Sequence, residues 1–454
     1  MNRPLSTSAG RRSGLAIVVV IWAIAITGLL TSSLMVFSGR QSMLGTEVQN
    51  RVAARWAARA GVEATIAKLA EITKYPDPDD ALLLYLVMEQ DGVARGETNG
   101  ASWNIEYSAD GKKDFPGPMD EHSKLNVNND ALRPYLNILF YPLSFGVYDS
   151  INDWIDADDD PSALGVERDW YLSLDARYEP RNGPIWHVAE MELIAGVDPE
   201  DVRGEDWNLN NRMDASENDG METLPIDEPN DFLEAGWSEF LTARSHGGGL
   251  STSGQERIWL QAAEPLDIID RIETLTLQQA QSLISQAQDP DWELSSLVLA
   301  NPPPDLQRRN RFQDQNDDQQ SQSELTFDPE QIALILGELT TNAPHRPSWG
   351  KLNINTVPSS LLYEVFQDEE RLVDDILAMR ARRAEGIITM MDLWELPDIN
   401  EELMSRLLTM FDTHSNVFTI ISKGKSPGSQ QEVEMIVVVD RSTIPVQILE
   451  YREN

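Results

Sequence analysis

Twelve consecutive residues, Asp206-Trp-Asn208-Leu-Asn210-Asn-Arg212-Met-Asp214-Ala-Ser-Glu217, space their oxygen side chains as a hard cation needs them. Side-chain oxygens fall at positions 1, 3, 5, 9 and 12, and the Arg212 carbonyl is available at position 7. Asn211 takes the tight-turn position usually held by Gly, and Asn tolerates positive φ. By spacing this is an EF-hand-like calcium loop. Its flank, residues 218–231, carries Gly220, Pro225 and Pro229, so a full helix–loop–helix hand is not expected. The alternative is a solvated acidic loop. A second run, Asp156-Ala-Asp158-Asp-Asp160-Pro-Ser-Ala-Leu-Gly-Val-Glu167, places carboxylates at positions 1, 3, 5 and 12. Pro161 holds its turn position and cannot take positive φ, so this loop cannot follow EF geometry. Donors without His or Cys suit a hard cation and not zinc.

Other chemistry has little support. Cysteine is absent, which excludes disulfides, thiolate metal sites and cysteine nucleophiles. The five histidines, His122, His187, His246, His345 and His414, are scattered. None forms an H-x-x-x-H pair or lies beside a G-x-S-x-G elbow, and no P-loop or dinucleotide fingerprint appears. Trp154, Trp170, Tyr171 and Trp186 read as packing around the acidic loop rather than a ligand platform. Lys plus Arg is 36 against 75 Asp plus Glu, a net charge of −39, which repels nucleic acid and anionic lipid. With 41 % hydrophobic residues the chain can still build real cores.

The elements that must position these loops begin at the N-terminus. Arg3, Arg11 and Arg12 precede Gly14, and an uncharged apolar run extends from Leu15 to Phe37, 23 residues, enough to span a bilayer as a helix. The basic flank predicts a cytoplasmic N-terminus. Helix-compatible sequence continues from Arg40 to about Ile72, with Val48, Val52, Ala53, Trp56, Ala60 and Ala64 at amphipathic spacing. This predicts one helix of roughly 55 residues, ended by Tyr75-Pro76-Asp77-Pro78.

Ala101 to Ser108 alternates as a strand. Asn416–Ser422, Glu432–Asp440 and Val446–Tyr451 are further β-rich runs, the first two joined by a Gly/Pro/Ser turn. One sheet is expected from all four, interrupted by an insertion of about 300 residues. The insertion repeats itself: Lys124-Leu-Asn-Val-Asn-Asn129 matches Lys351-Leu-Asn-Ile-Asn-Thr356, each before helical sequence. Asn355-Thr356 reads as the cap of a helix starting at Val357-Pro358. Leu361, Leu362, Val365 and Phe366 should face a core with Leu372, Ile376, Leu377 and Met379. Residues 308–324 are polar and low in complexity, a loop by composition.

The chain resembles the K-type minor pseudopilins of bacterial type II secretion. Arg11-Arg12-Ser13-Gly14 resembles a prepilin leader. Asp153-Trp-Ile-Asp156-Ala-Asp158, followed by Gly165-Val-Glu167 and Trp170-Tyr171, is similar to that family's DWID…GAE…Y block, and Leu352-Asn-Ile-Asn-Thr356 is also familiar there. The resemblance implies cleavage by prepilin peptidase between Gly14 and Leu15, and calcium held in the inserted domain. It also explains Val19, at a mature fifth position where most pilins carry Glu. A subunit capping the tip has none above it to supply the partner ammonium.

The expected fold is α+β: a transmembrane pilin helix, a small antiparallel pilin β-sheet, and a large mostly α-helical inserted domain with two helix-hairpin (SAM-like) repeats. The expected organisation is a leader at 1–14, a span at 15–38, pilin helix and first strand at 39–115, and C-terminal strands at 416–454. The insertion would fill 116–415, with repeats near 122–200 and 349–412 around a loop-rich 201–348. The expected partners are other minor pseudopilins, prepilin peptidase and the inner membrane. Nucleic acid, small-molecule substrates and enzymatic activity are not expected. The alternatives are a membrane-anchored helix-hairpin-helix DNA binder and an anchored exported hydrolase. The first lacks Gly-x-Gly phosphate-binding turns and has only Arg380, Arg382 and Arg383 as a local basic cluster. The second lacks a nucleophile–base pair.

Overall fold

The computed structural model describes residues 13–108, 114–140, 143, 144, 146–223, 226, 227, 229–302, 326–343, 348–428 and 431–453. Residues 1–12 of the expected 1–14 leader, His345, Pro225 and the polar 308–324 stretch lie outside the described residues. Ser13 to Lys74 form one 62-residue helix, α1, with Gly14 and Leu15 in its first turn. At 1.5 Å per residue it is ~93 Å long. Its apolar segment has a mean hydropathy of 2.3, and among the described residues it is the one helix long and apolar enough to cross a membrane. From Ala16 to Gln49 every residue is exposed.

Beyond that point α1 docks on a sheet, through a face its hydrophobicity does not mark. Ala54, Ala57, Ala58, Val62 and Leu69 are buried, whereas Val48, Val52 and Trp56 are exposed. Close approach is the reason. A Cβ on Gly424 would lie 2.0 Å from the Ala54 carbonyl oxygen, and one on Gly61 would lie 2.6 Å from the Ser422 Oγ and from the Trp103 ring. Ser422 Oγ donates to the Ala58 carbonyl at 2.8 Å. At this separation only small side chains fit between residues 54 and 61, so alanine and glycine pack there and Val52 and Trp56 turn outward, while Val62 and Leu69 pack beyond the closest approach.

The sheet runs in the order β1 (Arg95–Thr98), β2 (Ala101–Ser108), β13 (Val417–Lys425), β14 (Glu432–Asp440), β15 (Gln447–Glu453). Every pairing is antiparallel, with β3 (Asp114–Pro116) added on β2 and β4 (Met119–Asp120) on β13. The strands at 95–98, 114–116 and 119–120 are too short to announce themselves by alternation. Ala58, Val62, Leu69, Ile105, Phe418 and Val437 contribute to the core between α1 and the sheet.

A second, larger core, from Leu125 to Phe411, lies in the insertion between β4 and β13. The insertion carries α3 (Leu136–Leu139), α4 (Val147–Ile155), α5 (Arg168–Ser173) and α6 (Pro199–Arg203), while α2 (Leu83–Met88) precedes the sheet. Its strands are two-residue pairs: β5 (Leu125–Asn126) with β6 (Leu241–Thr242), β7 (His246–Gly247) with β10 (Ser348–Trp349), β8 (Ile258–Trp259) with β9 (Leu339–Thr340), and β11 (Leu352–Asn353) with β12 (Phe411–Asp412).

The two Lys-Leu-Asn-x-Asn segments make matching hydrogen bonds. Asn126 Oδ1 and Asn353 Oδ1 each accept the backbone N–H two residues on. Asn128 exchanges side-chain bonds with the Ile185 backbone, and Asn355 does the same with Ile387. Asn126 Nδ2 donates to Ser245 Oγ and Asn353 Nδ2 to Ser415 Oγ. The shared pattern therefore extends past residue 200, to Ser245, in the first copy. It also corrects the expected cap. Asn355 is buried and clamps Ile387, the helix Ser359–Val365 starts from Pro358, and Thr356 donates to Asp120. The predicted core positions Leu361, Leu362, Val365, Phe366, Leu372, Ile376 and Met379 are buried.

Candidate cation-binding loops

The 206–217 loop follows α6 and folds on itself. Asp206 is fully buried and accepts the N–H groups of Asn210 and Asn211, at 2.9 and 2.8 Å. Asn211 takes φ +53°, as its turn position demands. Asn208 Nδ2 and Asn210 Nδ2 both donate to Asp214 Oδ2, at 2.8 and 2.9 Å, so the side chains at positions 3, 5 and 9 meet at one point. Glu217, also buried, accepts N–H groups from Trp207 and Asp214. Asn208 Oδ1 is a buried acceptor without a partner. The Arg212 N–H donates to Asn210 Oδ1. No helix of EF-hand length flanks the loop: α6 has five residues and a three-residue turn follows Asp214.

Burial and, to a lesser degree, the charge of Asp214 push Asp206 up to about 6 despite its two N–H bonds. Burial and the charge of Asp206 push Glu217 up to about 8. Burial would raise Asp214 too, but the Lys423 ammonium and the two Asn amides hold it below its ordinary value. The loop thus holds more carboxylate than its single lysine partner neutralises.

The second run is rearranged relative to its spacing. Asp156 and Glu167 come together with Asp153, and one oxygen from each lies within 4.8 Å of the others. Asp158 and Asp160 do not join them. Both are exposed, and Asp158 Oδ1 accepts the Asp160 N–H instead. Pro161 bars the EF turn, so the chain cannot curl Asp158 and Asp160 inward. Asp153 is the member that spacing from Asp156 onward misses; the sequence signal for it is its position three residues before Asp156, on the same helix side.

Two elements position this cluster. Asp153 sits on α4, Asp156 caps the end of α4, and Glu167 sits at the start of α5. Asp153 accepts the Ser162 N–H at 3.1 and 3.2 Å. A Cβ on Gly165 would lie 2.0 Å from Asp153 Oδ2, so that approach requires glycine. Glu167 is 5 % exposed, and neither of its carboxylate oxygens has a partner. Burial, then the charges of Asp153 and Asp156, push it up to about 7. Behind the cluster Trp154 and Tyr171 pack edge to face at 5.3 Å, with Tyr178 against both. Trp186 is exposed and stacks under Arg181. Three converging carboxylates, one with two unpaired buried oxygens, fit a hard divalent cation such as calcium.

The remaining candidate groups are engaged elsewhere. His122 Nδ1 meets the Lys351 carbonyl, His187 Nδ1 accepts the Ala189 N–H, and His246 and His414 pair with Asp440 and Asp412. Arg380 donates to the Val357 and Asn355 carbonyls, Arg383 to Asp392 and Glu395, and Arg382 to the Ala378 carbonyl.

A long N-terminal helix with an exposed apolar half and a half docked on an antiparallel sheet is a pilin-like arrangement, here with a large insertion. The family model for type II secretion system protein K matches residues 143–204, the segment that holds the Asp153–Asp156–Glu167 cluster. Type II secretion system protein K of Klebsiella pneumoniae is 23 % identical over 203 residues, 41 % of this chain and 59 % of that protein. Its namesake in Pectobacterium carotovorum subsp. carotovorum is 39 % identical over 49 residues, 11 % of this chain and 15 % of that protein. The match thus spans less than two thirds of either relative. The family match and these relatives support a K-type minor pseudopilin of the type II secretion system. A chain in the crystal structure of the GspK-GspI-GspJ complex from the enterotoxigenic Escherichia coli type 2 secretion system is similar at 13 % identity and TM-score 0.45, over 91 % of this chain and 99 % of that one.

Proposed function

We propose that this chain is a structural subunit capping the tip of a type II secretion pseudopilus, where it supports protein export across the outer membrane. In this reading α1 anchors it in the inner membrane with a cytoplasmic N-terminus, and the globular part is periplasmic. Prepilin peptidase cuts between Gly14 and Leu15, and other minor pseudopilins pack along the helix. One or both acidic loops hold calcium, through Asp206, Asn208, Asn210, the Arg212 carbonyl, Asp214 and Glu217, and through Asp153, Asp156 and Glu167.

The observation that carries the reading is the outward face of α1. Leu44, Val48, Val52 and Trp56 recur every four residues and are exposed on a helix that has left the apolar span. Such a ridge packs into the groove of another helix. Val19 adds to this, because a tip subunit needs no carboxylate for a neighbour above.

Cysteine cross-linking in intact membranes tests it. Val20→Cys and Val52→Cys should trap smaller pseudopilins and not a second copy of this chain, and the trapped chain should begin at Leu15. Efficient self-cross-linking would make it a shaft subunit instead.

A further inference from the structure

The 206–217 loop belongs to the insertion, yet much of its outer surface is held by the pilin sheet. Lys423 on β13 places its Nζ 2.9 Å from Asp214 Oδ1. Glu434 on β14, itself buried, accepts from Asn210 Nδ2 at 3.2 and 3.3 Å. Arg452 on β15 donates to the carbonyls of Asn208 and Leu209, at 3.2 and 3.0 Å. On β2, the Ser108 N–H donates to the Asn211 carbonyl at 2.7 Å, and Glu106 pairs with Arg212. Four strands thus grip one loop.

The candidate ligands and the sheet meet on the same loop residues, and the Asn210 Nδ2 that donates to Asp214 also donates to Glu434. The inward face of the loop presents side chains: Asp206, Asn208, Asn210, Asp214 and Glu217. The sheet takes the backbone carbonyls of Asn208, Leu209 and Asn211 as well as the side chains of Asn210, Arg212 and Asp214. A change that turns the side chains must also turn these carbonyls, because Asn208 contributes to both. Asn208 Oδ1 is the buried acceptor that still lacks a partner, and the Asn208 carbonyl is what Arg452 holds.

We propose that the loop is a cation-tightened latch between the inserted domain and the pilin sheet, with Arg452 as the positioning residue that passes its state to β15. This rests on the reading that the loop holds calcium. Without the ion, the buried Asp206 and Glu217 are held, among the described residues, only by backbone N–H groups of the loop itself. Nothing then draws the side chains of the loop to one centre, so the loop is held less firmly and its carbonyls swing off Arg452. With the ion, the side chains are drawn to one centre and the carbonyls are held outward. β15 is the edge strand of the sheet, with β14 as its one partner strand, so it is the strand most dependent on this grip. A small, partly open pocket lined in part by Asp206, Leu209, Lys124, Arg244, Glu450 and Arg452 lies beside the latch and leaves room for these groups to shift.

The test is hydrogen exchange on the full chain in detergent, with and without calcium, alongside calorimetry of calcium binding. In the native chain calcium should slow exchange in both 206–217 and 447–453, by about tenfold or more. In Arg452→Met the calcium heat and the protection of 206–217 should persist, while the response of β15 is lost. Arg55→Met removes an ion pair to Glu453 on β15 away from the loop, so it should leave the calcium response of β15 intact. Calcium binding that protects the loop but leaves β15 unchanged in the native chain overturns the latch and spares the calcium reading. Absence of any calcium heat overturns both.

Discussion

Both clusters concentrate carboxylates whose burial opposes ionisation, and this sets two expectations. Asp206→Ala combined with Glu217→Ala should abolish one component of the calcium heat, and Glu167→Ala the other. Dissociation constants should fall near the range of extracellular modules, roughly 10⁻⁴ to 10⁻³ M. If both variants leave the heat unchanged, the ligands are misplaced. The pH response follows from the raised Glu167, at about 7, and Glu217, at about 8. An unfolded glutamate titrates near 4.3. The folded state therefore holds these protons more tightly, and the resulting stability is complete below the ordinary range and lost as pH rises through about 7 and 8. In chelator, the midpoint of thermal unfolding should fall across that window, each group contributing up to ~1.4 kcal/mol per pH unit. Glu217→Gln should flatten the fall, and saturating calcium should remove it. At this scale legibility was uneven. Ligand spacing pointed to Asp206 through Glu217, and the structure folds that continuous segment so that Asn208 and Asn210 meet Asp214. Spacing named only Asp156 and Glu167 of the second cluster, because Asp153 enters from a helix face that loop spacing does not count.

Among the elements, α1 and its sheet show packing overriding hydrophobicity. The helix is legible from its uncharged run and its continued periodicity, β2 from its alternation and β14 from its β-rich run. The docked face was not, because the decisive quantity is distance. A sheet that brings Gly424 against the Ala54 carbonyl selects for absent side chains, whatever their hydropathy. Gly424→Val should therefore lower stability by ~2 kcal/mol or more, read as a drop in the denaturation midpoint. Trp56→Ala on the exposed face should leave that midpoint within ~0.5 kcal/mol while weakening capture of partner pseudopilins. The repeated Lys-Leu-Asn-x-Asn segments make the same point. The repeat is visible in the sequence, but its asparagines clamp Ile185 and Ile387, partners that no local capping rule points to.

For the molecule as a whole, the charge of −39 and the fate of its arginines combine. Arg380 and Arg383 are spent on carbonyls and carboxylates of their own domain. The full chain should not shift duplex DNA in a gel at low salt, the condition that most favours phosphate contacts. Micromolar binding there would revive the helix-hairpin-helix DNA-binding alternative. The molecule carries two separate hydrophobic cores, one under the pilin sheet and one in the insertion, and the 206–217 loop belongs to the second while being held by the first.

By itself, the sequence determined what depends on neighbours along the chain. These are the membrane-length helix, from an uncharged apolar run; the principal strands, from alternation at 101–108 and β-rich runs beyond 415; the repeat, from two Lys-Leu-Asn-x-Asn pentads; and the donor spacing of the 206–217 loop. Only the tertiary structure decided what depends on approach between distant segments. It chose the alanine and glycine face of α1 for docking, gathered Asp153 with Asp156 and Glu167, and set Lys423, Glu434 and Arg452 around a loop more than 200 residues earlier. The physical reason is common to all three. Close packing and the pairing of buried charge act through space, and no period or spacing in the chain encodes which surfaces will meet.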